Sequence, residues 1–60
     1  MSNNTIHRVS FLIAHDFHVK EKDFKEWVRA ELMEDGVHEG HPLEFAILSN
    51  RIHNLRIEEA

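Results

Sequence analysis

Six histidines dominate the reactive side chains of this 60-residue chain, which contains no cysteine and no tyrosine. Four of them fall into two pairs of equal spacing, His15-Asp16-Phe17-His18 and His38-Glu39-Gly40-His41. On a helix or in a loop, such a pair can bring two imidazoles to one Zn²⁺ at about 2.0–2.1 Å. On a strand the same spacing sends the two rings to opposite faces. The first pair sits in an alternating segment and is not expected to converge. The second lies among the two glycines, Gly36 and Gly40, and the only proline, Pro42. His38 and His41 are therefore the metal candidates, with Glu39 as a third donor, although the more economical reading is that they ride on a turn, and no cofactor is expected. For acid–base work, His15 has Asp16 beside it and His38 has Glu39, but sequence neighbours on a strand point apart. Ser10 and Ser49 fall in strand or turn contexts without a nucleophile signature. The chain reads as non-enzymatic, with no small-molecule substrate expected.

The elements that must carry these residues follow from apolar periodicity. Val9, Phe11, Ile13, His15, Phe17 and Val19 alternate with Arg8, Ser10, Asp16 and His18, a period of two that predicts one long half-buried strand. Leu12 and Ala14 interrupt its polar face, either as in a strand covered on both sides, the second cover being another subunit, or as an ordinary exposed leucine. Phe24, Trp27, Val28 and Leu32 then form one helical stripe, with Lys22, Lys25, Glu26 and Arg29 toward water. Asp23 with Glu26 offers a capping box, and a start one turn earlier near Lys20 fits as well. Gly36 supplies a left-handed stop. Gly40 and Pro42 make the stretch that follows a helix-to-strand connection.

From Pro42 onward two patterns compete. Leu43, Phe45 and Ile47 alternate, Ser49-Asn50 is a polar turn, and His53, Leu55 and Ile57 alternate again, which predicts two strands. Phe45, Leu48, Ile52 and Leu55 also fit a helical spacing that Pro42 would open. Asn50 and Asn54 are weak helix formers, so the strands are preferred. The expected fold is α+β: residues 1–5 a disordered tail, then one domain over 6–60 of order β-α-β-β, its amphipathic helix packed on an antiparallel sheet. Its core and dimer contacts would come from Val9, Phe11, Leu12, Ile13, Phe24, Trp27, Val28, Leu32, Phe45, Ile47, Leu55 and Ile57. The alternative order, β-α-α, resembles ribbon-helix-helix DNA-binding regulators, a family whose strand carries polar and basic residues to the major groove. Here that strand is apolar, with Arg8 its only basic residue.

A chain this short buries only about 60% of the surface it exposes when unfolded. Without a disulfide, the remaining support is dense packing or self-association, and a homodimer is expected. No apolar run exceeds four residues, the length of Phe11 to Ala14, far below the ~20 residues of a membrane span. The first five residues lack the features of a secretory leader, so a cytoplasmic setting is expected. A formal charge of −4 opposes general binding to nucleic acid. Between Ala30 and Asn50 there is no Lys or Arg, while Glu31, Glu34, Asp35, Glu39 and Glu44 all fall inside that window. Gathered together they would form an acidic rim suited to a basic protein surface.

The expected β-α-β-β order, the small acidic chain and the lack of a catalytic signature look like small phage-encoded proteins that bind and inhibit host defence or host metabolic proteins, the anti-CRISPR type among them. The resemblance covers shape and composition and assigns no residue. It implies a protein-binding inhibitor or regulator acting in the host cytoplasm. The readings set beside it are a DNA-binding regulator and a histidine-rich metal binder.

Overall fold

A computed structural model describes residues 4–60; of the expected tail, residues 1–3 lie outside the described residues. Strand β1 spans His7–Ile13, helix α1 Glu21–Met33, a short 3₁₀ turn Leu48–Arg51, and strand β2 Ile52–Glu59. The two strands form one antiparallel sheet. The fold is α+β, with one helix and an antiparallel sheet as expected, but with two strands where three were predicted.

The missing strand is residues 43–47, whose backbone is committed locally. His41 Nδ1 accepts the Leu43 N–H at 3.0 Å, the Glu44 N–H donates to His41 C=O and the Ala46 N–H to Leu43 C=O. The indole N–H of Trp27 takes the Ala46 carbonyl at 3.2 Å. Such side-chain and turn bonds offer the backbone an alternative to a sheet ladder. The β-α-α order does not form either: the only helical turn after Pro42 is Leu48–Arg51.

Strand β1 also stops earlier than its alternation implied. Ala14 donates its N–H to Arg51 C=O at 3.0 Å, and on the N-terminal side of Ile52 the chain is coiled into the 3₁₀ turn Leu48–Arg51, so residues 15–19 have no partner strand. His15 folds back instead, accepting the Phe17 N–H at Nδ1 and stacking on Phe17 and Phe24. Phe17 meets Trp27 edge-on at 5.3 Å, and the Arg51 guanidinium lies over its ring, 4.5 Å from the ring centre. Phe17 and Val19 thus reach the core from irregular chain.

That core is Trp27, Leu43 and Leu48, with Phe11, Ile13, Phe24, Val28 and Ile52 among the half-buried residues packed against it. Trp27 is fully enclosed. Helix α1 starts after Lys20, the earlier of the two expected starts, and Gly36 at φ +108° donates its N–H to Ala30 C=O just past the helix end. Three expected core residues are corrected. Leu32, Phe45 and Ile47 are all more than half exposed. Leu32 lies just off the buried arc, whose centre is taken by Glu31, and Phe45 and Ile47 point out of the turns around them.

The helix does not lie across the whole sheet. Only the inner end of the ribbon, at Phe11, Ile13 and Ile52, touches the core. The outer part projects, and the molecule measures 45 × 25 × 18 Å along its principal axes. Val9, Leu12, Leu55 and Ile57, expected in core or dimer contacts, are exposed in the single chain.

Candidate functional site

Glu31, Asp35 and Glu44 line one concavity of about 290 Å³, together with Phe45 and Ile47, and no Lys or Arg lines it. Its walls are set by backbone bonds to the acids themselves. Glu31 Oε1 accepts the Leu48 N–H at 3.1 Å, fixing the 3₁₀ turn to the helix, and Glu44 Oε1 accepts the Gly40 N–H at 3.2 Å. Gly36 passes close enough that a Cβ there would meet Glu31 Oε2 at 3.4 Å. Phe45, held by turns on both sides, presents 89% of its surface to solvent at the mouth. A half-enclosed acidic cleft with an exposed aromatic ring suits a cationic side chain on an apolar stem: the carboxylates face the charge and the ring face adds a cation–π contact.

The expected five-acid rim is only partly assembled. Glu31, Asp35 and Glu44 come together. Glu34 lines a different concavity, of about 280 Å³, with Arg29, His38 and His41, and Glu39 lines neither. Two of the three assembled acids also serve the fold, which charge counting alone does not reveal. Their role was signalled by position: Glu31 lies three or four residues after Trp27 and Val28, in the middle of the apolar stripe.

The histidine pairs separate in the structure. His15 and His18 leave the strand, and His15 belongs to the aromatic packing. His38 and His41 are neighbours, their rings edge-on at 5.4 Å, but the carboxylates beside His41 come from the helix and not from Glu39. Asp23, Glu26 and His41 place one donor atom each within 4.8 Å of one another, a grouping that spacing did not predict. His41 Nε2 is buried with no hydrogen-bond partner, and Glu26 Oε1 stands 3.6 Å from it.

The chemistry of the ring decides what this cluster can do. Because the Leu43 N–H points at Nδ1, that nitrogen carries the lone pair, and the proton of the neutral ring is assigned to Nε2. A metal on Nε2 needs the opposite tautomer, in which Nδ1 is the donor to a neighbouring acceptor. Here Nδ1 faces a donor. The arrangement fits an Nε2–H directed toward the Glu26 carboxylate better than a zinc ligand.

Comparison with known proteins returns no match: no family model, curated protein or solved structure resembles the chain. Among the described residues, no helix is long and apolar enough to cross a membrane.

Proposed function

We propose that the protein is a non-enzymatic binding module, a small inhibitor or regulator that docks a basic surface of a partner protein. The supporting observation is the cleft lined by Glu31, Asp35 and Glu44 beside the exposed Phe45. A large aromatic ring left in water at the rim of a charged concavity is the arrangement of an interface anchor, since aromatic residues dominate binding energy where they become desolvated. The acids steer a cationic partner, and the ring holds it. The small size and acidity of the chain support the reading, expected from the sequence, of a phage-encoded inhibitor acting on a protein of the host cytoplasm.

A lysine-rich peptide carrying one phenylalanine serves as the probe. Titrated into the ¹⁵N-labelled protein, it is expected to shift resonances of residues 31–47 and to bind more weakly as salt is added. Asp35→Lys and Phe45→Ser, both at exposed positions, are each expected to weaken it by about tenfold, the effect of losing ~1.4 kcal/mol. Binding undiminished in both variants, or shifts centred on Glu58 and Glu59, removes the cleft as the site.

A further inference from the structure

Independently of the cleft, we infer that a second copy of this chain pairs with the free edge of β1, joining the two ribbons into a four-stranded antiparallel sheet. The ladder shows which backbone groups are available. Ala60 donates its N–H to Ile6 C=O and Ala14 donates to Arg51 C=O, and the register pairs Arg8 with Glu58, Ser10 with Arg56 and Leu12 with His53. Hydrogen-bonded and non-bonded pairs alternate along an antiparallel ladder. The even-numbered residues of β1 therefore bond inward to β2, and His7, Val9 and Phe11 turn their N–H and C=O groups outward. Among the described residues, no hydrogen bond outside the ladder involves these three.

The two edges of the ribbon differ. Strand β2 is bulged: the register shifts between Ser10 and Leu12, so Asn54 and Leu55 oppose Phe11, and Asn54 adopts φ +54°. It also ends in Glu58-Glu59. Bulges and charges are devices that keep an edge from pairing. Strand β1 has no bulge, and His7 and Arg8 are its only polar residues besides Ser10. Its flanking apolar residues Ile6, Val9 and Leu12 are all more than half exposed. An isolated two-stranded ribbon is marginal in water and needs further strands or packing against a helix; here only the inner end, at Phe11, Ile13 and Ile52, packs on the helix core.

A two-fold axis at Val9 gives a register in which each pairing is compatible. Val9 meets the second copy's Val9, His7 meets its Phe11, Arg8 meets its Ser10 and Ile6 meets its Leu12. No like charges stand opposite one another. On one face Ile57, Val9, the second copy's Val9 and its Ile57 form a continuous β-branched row, of the kind whose cross-strand contacts stabilise sheets. The axis is perpendicular to the sheet, so both globular ends lie on the same face, each beside the other's ribbon tip.

Cysteine scanning tests the geometry, because the chain has no other thiol. A two-fold hydrogen-bonded pair at position 9 places the Cα atoms about 5.5 Å apart, within disulfide range, whereas two copies of residue 57 would stand three strand spacings, roughly 14 Å, apart. Val9→Cys is expected to cross-link fully under mild oxidation at micromolar concentration, and Ile57→Cys to remain uncross-linked. Sedimentation of the unmodified chain is expected to give a dimer whose affinity changes little with salt, unlike peptide binding at the cleft. Val9→Pro, which removes an outward N–H and no bond to β2, is expected to sediment as a monomer that keeps its fold by circular dichroism. An unmodified chain that stays monomeric at millimolar concentration, or cross-linking at 57 equal to or greater than that at 9, overturns the pairing.

Discussion

His41 shows how one side chain can look like a site and act as a structural part. It is buried, its Nδ1 closes the turn at Leu43, and its Nε2 faces the helix carboxylates. His41→Ala leaves the Leu43 N–H without its partner and is expected to cost about 1–3 kcal/mol in urea denaturation. Asn at position 41 places an amide oxygen where Nδ1 now sits, so His41→Asn should recover part of that loss. Exposed His38 changed to Ala should stay within about 0.5 kcal/mol. The tautomer argument adds a sharper test. Stoichiometric Zn²⁺ should leave the melting temperature of the wild-type protein unchanged, because a ligand of the folded state must raise it. A rise abolished by His41→Ala would show that the ring changes tautomer to take the metal.

At the scale of elements, the helix and β2 could be read from sequence, and the connections between them could not. Phe24, Trp27 and Val28 do face the core, and Gly36 at φ +108° does end the helix turn. Gly36→Ala should therefore destabilise by roughly 1–2 kcal/mol, the cost of a side chain in that backbone region. Leu32→Gln, at an exposed position, should change stability by less than about 0.5 kcal/mol, and thermal melts of the two variants side by side check both. The sequence pattern misled in two places for one physical reason. Alternation through Phe17 and Val19, and again through Leu43, Phe45 and Ile47, satisfies the strand template, but a strand exists only where a partner takes its backbone bonds. Residues 43–47 bond to His41 and Trp27 instead, which removes the partner that residues 15–19 would have needed. Of the candidate site, the acidic window was visible as a run without Lys or Arg; which acids converge depended on turns whose side-chain bonds follow no simple period.

Over the whole molecule, the acidic cleft and the exposed strand residues belong to different elements. Glu31, Asp35 and Glu44 gather near the short 3₁₀ turn, while Val9, Leu12, Leu55 and Ile57 line the projecting ribbon. The ribbon tip makes no contact with the core of its own chain, so its amide protection must come either from the two-stranded ladder alone or from a second copy. These sources respond differently to dilution. In a lone chain the inward N–H groups of Arg8 and Ser10 exchange by local fraying at a rate set only by intramolecular equilibria, and the outward N–H groups of His7 and Val9 exchange as freely as those of a loop. In the paired sheet all four are protected, and their protection falls with dilution by mass action, as does the melting temperature. Hydrogen exchange at two protein concentrations a hundredfold apart should show Val9 strongly protected at the higher and nearly unprotected at the lower, with Trp27 and its helix neighbours changing only as far as global stability does. Exchange at Val9 that is fast and identical at both concentrations would mean that the ribbon stands alone in solution, with its apolar row facing water.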